Sequence, residues 1–312
     1  MTERPPLVAL FGATALGKTE VAVALAGRLG ADIVVADSMQ AYAGLPVLTN
    51  QPGEDLRRRA RYHLVGFWPP QRELSVAEFA RAAHAVLDRL QAEGRPAVVE
   101  GGSGLYLRAV LGGLDFAAPP DPALRAELER RWREDAAGVV AELLRRDPGA
   151  ATRVDLRNPR RVIRALETAL LRPDAAGAPR DRLWQPGERY PHVLVGLDPG
   201  DDRAALHERI ARRVAAMLAA GALDEVREAR AAGPFSRTAS QAIGVRELCA
   251  VLDGRMTLEE AAARMAARTR ALARRQLAWL RKLPAHARIV VAGRSPEKVA
   301  DEVLRLVRRH AW

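Results

Sequence analysis

The stretch Leu7-Val8-Ala9-Leu10-Phe11-Gly12-Ala13-Thr14-Ala15-Leu16-Gly17-Lys18-Thr19 decides the fold. Its five apolar residues, Leu7 to Phe11, read as a buried strand that runs straight into a loop of the form G-x-x-x-x-G-K-[ST]. The spacing has a physical reason. Glycines let successive backbone N–H groups turn inward around an anion. The helix expected next presents its positive N-terminus to the same point. Lys18 adds a mobile point charge, and the Thr19 hydroxyl suits Mg²⁺. Residues Gly12 to Thr19 are therefore expected to cradle a phosphate or pyrophosphate, with Thr19 as the metal ligand.

Outward from this loop, Glu20 to Leu29 has the periodicity of an amphipathic helix stopped by Gly30. Ile33 to Ala36 is a second apolar strand, with Asp37-Ser38 at its C-terminal end. After a loop rich in Gly and Pro, Val76 to Ala92 reads as a helix closed by Gly94. Ala97 to Val99 is a third strand, leading into Glu100-Gly-Gly-Ser-Gly. Strands alternating with helices predict an α/β fold, a parallel sheet with helices on both faces. In such sheets ligands sit at the carboxyl ends of the strands, where all three polar loops lie. The pattern changes after Leu114. Pro119 to about Leu171 is helical, Arg172 to Pro191 is a loop, and Val193 to Leu197 is again a strand. From Ala204 the chain is mostly helical, with one strand at Arg288 to Val291. The predicted organisation is a phosphate-loop α/β core over 1–114 and 192–312, interrupted by a small helical insertion over 115–191.

The composition bounds the partners. Of 312 residues, 49 are Lys or Arg and 38 Asp or Glu, giving a net charge of +11. So basic a chain attracts polyanions, nucleic acid before a membrane surface. The single cysteine, Cys249, excludes an internal disulfide and a cysteine zinc site. The N-terminus lacks the layout of a signal peptide, and no apolar run approaches the ~18 residues of a membrane span. A soluble, cytoplasmic, monomeric protein is expected.

Further motifs carry a resemblance. Asp37, Ser38, Gln40 and Tyr42 fit Asp-Ser-x-Gln-x-Tyr, and Gly101-Gly102-Ser103-Gly104-Leu105-Tyr106 fits Gly-Gly-Thr/Ser-Gly-Leu-Tyr. Asn158-Pro159-Arg160-Arg161-Val162-Ile163-Arg164-Ala165-Leu166-Glu167 lies in the insertion. Gln241-Ala242-Ile243-Gly244 and Thr269-Arg270-x-x-Ala273-x-Arg275-Gln276-x-x-Trp279-Leu280-Arg281 follow. In this order, over essentially the whole chain, they resemble the tRNA dimethylallyltransferases, also called isopentenyl-tRNA transferases. The chain departs from that family at several points. Ala13 and Leu16 replace the loop's usual Pro and Ser, and Val245, Arg246 and Arg274 replace a common Tyr, Lys and Lys. Glu100 stands where a small or apolar residue is more frequent.

The resemblance implies transfer of a dimethylallyl group from dimethylallyl pyrophosphate to N6 of an adenine at position 37 of tRNA, beside the anticodon. Asp37 would be the general base. Lys18, Thr19, Arg213, the loop amides and Mg²⁺ would stabilise the departing pyrophosphate. Contacts to the anticodon stem-loop would come from Asp37, Ser38, Met39, Gln40, Ser103, Pro159, Arg160, Arg161, Val162 and Ile163. The helix from Arg264 to Lys282 adds further arginines, while Trp279 is expected in the core. The loop alone leaves open a small-molecule kinase using ATP, and a non-catalytic RNA-binding protein with a nucleotide site.

Overall fold

A computed structural model of the chain describes residues 5–112, 121–171 and 187–310. They form two compact units, one built from 1–112 and 188–312, the other from 113–187. The start expected at Pro119 and most of the loop expected over 172–191 lie outside the described residues.

The first unit is a six-stranded parallel sheet in the order β3-β2-β4-β1-β5-β6. The strands are β1 (Leu7–Gly12), β2 (Asp32–Val35), β3 (Tyr62–His63), β4 (Ala97–Gly101), β5 (Val193–Asp198) and β6 (Ala287–Val290). Strand β1 is central and every residue of it is buried, as strands covered on both faces must be. Side chains alternate between the faces. Leu7, Ala9 and Phe11 pack with Phe79 and Leu87 of α3 (Val76–Ala92), Leu107 of α4 (Gly104–Leu111), and Met265 and Leu280 of a long helix near the C-terminus. Val8 and Leu10 pack on the other face, with Val21 and Leu25 of the helix after the loop and Val299 and Val303 of a last helix.

The structure adds to the sequence reading at several points. The helix after the loop, α1 (Lys18–Leu29), starts two residues before the expected Glu20, because Gly17 takes the left-handed conformation (φ 78°) at its N-cap. Strand β4 runs two residues past Val99, which puts Glu100 and Gly101 in register with Leu10 and Phe11 of β1. A short helix (Glu54–Arg59) and β3 were not expected. The two-residue β3 is held at the sheet edge by His63, whose Nε2 lies 2.7 Å from the buried Asp32 carboxylate.

Helices α9 (Arg203–Ala219), α10 (Ala222–Ala231), α11 (Val245–Leu252), α12 (Leu258–Lys282) and α13 (Pro296–Arg309) complete this unit; the Glu54–Arg59 helix counts as α2. Helix α12 begins six residues before the expected Arg264. Its start is fixed by a capping box in which Thr257 and Glu260 bond each other's backbone amides.

The second unit consists, among its described residues, of α5 (Pro122–Glu134), α6 (Ala136–Arg146), α7 (Ala150–Arg153) and α8 (Pro159–Leu171). They close around Leu128, Val139, Leu143, Val162, Ile163 and Leu166. Asn158 opens α8, its side-chain oxygen accepting from the Arg161 amide at 3.3 Å. Among the described residues no helix is long and apolar enough to cross a membrane.

Candidate active site

The loop between β1 and α1 is built by close approach. A Cβ on Gly12 would stand 2.9 Å from the Leu197 carbonyl of neighbouring β5, so only glycine fits. Ala15 holds a positive φ of 63°, a strained conformation for a residue with a side chain. Leu16, in place of the family's serine, is buried against the core formed with Leu197 and Val299. The side chain of Lys18 folds back so that its Nζ donates to the Ala13 carbonyl at 2.9 Å. Burial pulls the Lys18 ammonium below its ordinary pKa, while the carboxylates of Glu100 and Asp37 pull it back up.

Two distant helices hold this loop. Arg213 of α9 donates to the Thr14 hydroxyl at 3.1 Å, and the Gln276 side chain of α12 accepts from the Thr14 amide at 2.8 Å. Burial pulls the Arg213 guanidinium below its usual range, against the opposing pull of Glu20. An anion entering the loop would restore the stabilisation that burial removes.

Asp37 follows β2. Its Oδ1 accepts from the amides of Met39 at 2.8 Å and Gln40 at 3.4 Å, an Asx turn that fixes the carboxylate. The stretch after it is anchored from behind. Tyr42 is buried and donates to the Thr238 hydroxyl at 2.7 Å, and the Gln51 amide donates to the carbonyls of Gln40 and Tyr42.

The third loop explains its glycines in the same way. A Cβ on Gly101 would stand 2.4 Å from the Ala36 carbonyl, one on Gly102 2.4 Å from Gln276 Nε2, and one on Gly104 2.2 Å from the Trp279 ring. The turn is therefore pressed between β2 and α12. Ser103 caps α4 without a side-chain hydrogen bond to it. Glu100 is 2% exposed. Its Oε2 accepts from the Thr19 hydroxyl at 3.3 Å, and its Oε1 has no hydrogen-bond partner. Burial pushes Glu100 up to about 7, against the lowering pull of Lys18 and Thr19.

Lys18, Thr19, Asp37, Glu100, Ser103 and Arg213 all line one cavity of about 520 Å³, within the usual size of small-ligand sites. Ser38, Met39 and Gln40 line it too. Gln276, not singled out for the site by its sequence, lines the cavity, and Trp279 packs against the core as expected while also lining the cavity. Only the tight approach of α12 to Gly102 and Gly104, which a sequence does not display, reveals their place. Among the basic residues of α12, Arg268 and Arg275 both line the cavity, and Arg268 is also bound to Glu247 at 2.6 and 2.8 Å.

The insertion residues fall into two groups. Pro159, Arg160 and Arg161 are exposed on α8. Val162 and Ile163 are 0% and 6% exposed. Their side chains form the helical unit's core, since the apolar stripe of an amphipathic helix turns inward. Arg164 bonds the fully buried Glu167 at 2.6 Å.

A family model described as IPP transferase matches residues 40–283. The tRNA dimethylallyltransferase of Bordetella petrii is 40% identical, covering 98% of this chain and 99% of its own length. That of Anaeromyxobacter dehalogenans is 44% identical over 88% and 90%. Among solved structures, the full-length tRNA isopentenylpyrophosphate transferase of Bacillus halodurans superposes with a TM-score of 0.71 at 32% identity, covering 98% of this chain and 96% of that one. A eukaryotic dimethylallyltransferase acting on tRNA, at 20% identity and a TM-score of 0.79, shares the fold.

Proposed function

The chain belongs to the IPP transferase family, and on that premise we propose that it transfers the dimethylallyl group of dimethylallyl pyrophosphate to N6 of adenine 37 in tRNA. It would act as a cytoplasmic monomer on the anticodon stem-loop. The observation that carries the reading is the shared cavity, which Lys18, Thr19 and Arg213 line together with Asp37. It offers an anion-binding end and a proton acceptor, the two things the reaction needs.

The N6 lone pair attacks the allylic C1, the C1–O bond breaks, and its electron pair leaves with pyrophosphate. One N6 proton passes to Asp37. Adenine N6 is a weak nucleophile because its lone pair is delocalised into the ring, so a positioned base matters. Asp37 is suited to it: two amides orient Oδ1, and Oδ2 has no hydrogen-bond partner among the described residues. At the other end, Lys18, Arg213 and the loop amides meet the charge that grows on the leaving oxygen. A base stacked in the anticodon loop cannot reach a carboxylate set in a cavity, so the adenine must flip out. Ser38, Met39, Gln40 and Ser103 line the cavity it would enter.

The site also suits Mg²⁺. The Thr19 hydroxyl is a hard oxygen donor on the cavity wall, and hard cations take such donors together with phosphate oxygens. When bound, the ion neutralises charge on the leaving pyrophosphate. Outside the cavity, Arg160 and Arg161 on α8 are exposed and offer the tRNA backbone two cationic contacts.

The test is incubation of the protein with unmodified tRNA and dimethylallyl pyrophosphate, followed by mass spectrometry of the digested nucleosides. N6-dimethylallyladenosine should appear without consumption of ATP. ATP hydrolysed in step with product, or no product at all, would overturn the reading.

A further inference from the structure

Glu100 lies in a row of the sheet that has no structural use for a charge. In the parallel register its neighbours are Leu10 on β1 and Val35 on β2, both buried. Residues paired in this way share a face, so Glu100 stands between two apolar side chains where the sheet elsewhere places apolar residues. Among the described residues no Lys, Arg or His makes an ion pair with it, and Lys18 instead bonds the Ala13 carbonyl. One carboxyl oxygen holds the Thr19 hydroxyl at 3.3 Å and the other is buried without a partner. A carboxylate buried away from water, with no ion pair and one oxygen unpartnered, is costly. That cost disappears if a cation joins it.

We propose that Glu100 completes the divalent-cation site: together with Thr19 it holds the Mg²⁺ that accompanies pyrophosphate. The inference rests on the reading of the Gly12–Thr19 loop as a pyrophosphate cradle. The placement follows from the sheet. The end of β4 lies beside the end of β1, so a residue there meets the first residues of α1. In phosphate-loop enzymes generally, an acid at a strand end and the loop's Ser or Thr together hold the metal. The usual apolar residue at this position would leave the metal to Thr19, the pyrophosphate oxygens and water. In this chain the cavity therefore carries an added negative charge that favours the metal complex of pyrophosphate over the free anion, which Glu100 repels.

The experiment uses the full chain with Mn²⁺ in place of Mg²⁺ and inorganic pyrophosphate as the anion. Free Mn²⁺ is counted by electron paramagnetic resonance, with pyrophosphate-only controls for metal held in solution. Pyrophosphate binding without metal is measured by calorimetry. Two variants are compared: Glu100→Gln, which keeps the shape, and Glu100→Val, which supplies the apolar side chain this row otherwise carries. Both should keep or raise the melting temperature. Both should bind Mn²⁺ in the pyrophosphate complex about 10–100-fold more weakly, and metal-free pyrophosphate as well as or better than the parent. Wild-type Mn²⁺ affinity in either folded variant overturns the proposal. Failure of the parent protein to bind pyrophosphate with or without metal would instead sink the cradle reading, and this proposal with it.

Discussion

The side-chain carbonyl of Gln276 accepts the Thr14 amide at 2.8 Å, tying α12 to the phosphate loop across 262 positions of sequence. The amide nitrogen of the same side chain sits where a Cβ on Gly102 would have to go. One residue thus sets the spacing between two of the three loops that make the cavity. Gln276→Ala leaves the part-buried Thr14 N–H without its partner, a loss of about 1 kcal/mol. The expected outcome is a lower melting temperature and a fall in kcat/KM for dimethylallyl pyrophosphate of about one to two orders of magnitude. Gln276→Glu keeps an acceptor for the amide and should recover the melting temperature while weakening pyrophosphate, because it adds a negative charge beside the cradle. Unchanged kinetics in Gln276→Ala would mean that the tie is incidental.

Lys18→Ala and Arg213→Ala should each lower turnover by about 10²–10³-fold, the usual effect of removing a donor from a site of developing charge. Arg213→Lys keeps the charge but not the bond to the Thr14 hydroxyl, and should fall between the arginine and the alanine. The check is initial rates on dimethylallyl pyrophosphate at saturating tRNA. Near-native rates in both alanine variants would place the chemistry elsewhere.

Asp37→Asn preserves shape and the two amide contacts while removing the proton acceptor. Single-turnover chemistry should slow by about 10²–10⁴-fold, with tRNA affinity nearly unchanged because the interaction counts mainly in the transition state. A variant that binds tRNA poorly but reacts normally once saturated would make Asp37 a structural residue.

On α8, adjacent residues should fail in different ways. Replacing Arg160 and Arg161 together should weaken tRNA binding and flatten its salt dependence by about 0.7–0.9 in log–log slope per lost phosphate contact. It should spare the single-turnover rate at saturation. Ile163→Ala opens a hole in the helical unit and should cost about 2–5 kcal/mol of that unit's stability, with no change in slope for the fraction that remains folded. Binding measured across a salt series, beside thermal unfolding of each variant, separates the two. An unchanged slope in the double arginine variant would remove α8 from the tRNA contact and turn attention to α12.

What the sequence disclosed follows from range. The phosphate loop was readable because strand, glycines, Lys18 and helix are consecutive and each has a local reason. The parallel sheet followed from repetition of that unit. Strand β3 was not readable, because two residues carry no period, and Tyr62 and His63 are placed by pairing with β2 and by Asp32. Val162 and Ile163 stand next to Arg160 and Arg161 in a single motif, yet the helix turns them to opposite environments. Gln276 and Trp279 could be named as part of a pattern, but not located. Their position depends on α12 packing on Gly102 and Gly104, more than 170 residues away. Glu100 was visible as an odd residue, and its meaning waited for the register that set Leu10 and Val35 beside it.

The strand order bears on how the chain folds as it is made. Strands β2, β4 and β1 are complete once residue 101 has been synthesised, but the other side of β1 pairs with β5, which begins only at Val193. At about 5–20 residues per second, the ribosome needs on the order of ten seconds to supply it. For that interval the central strand of the sheet is an open apolar edge, the kind that recruits other chains. The intervening residues include helices whose partners are near neighbours in sequence, which close on much shorter times. Crowded nascent chains of this protein should therefore aggregate through β1 before β5 arrives, and a chaperone that covers exposed strands should matter most in that window.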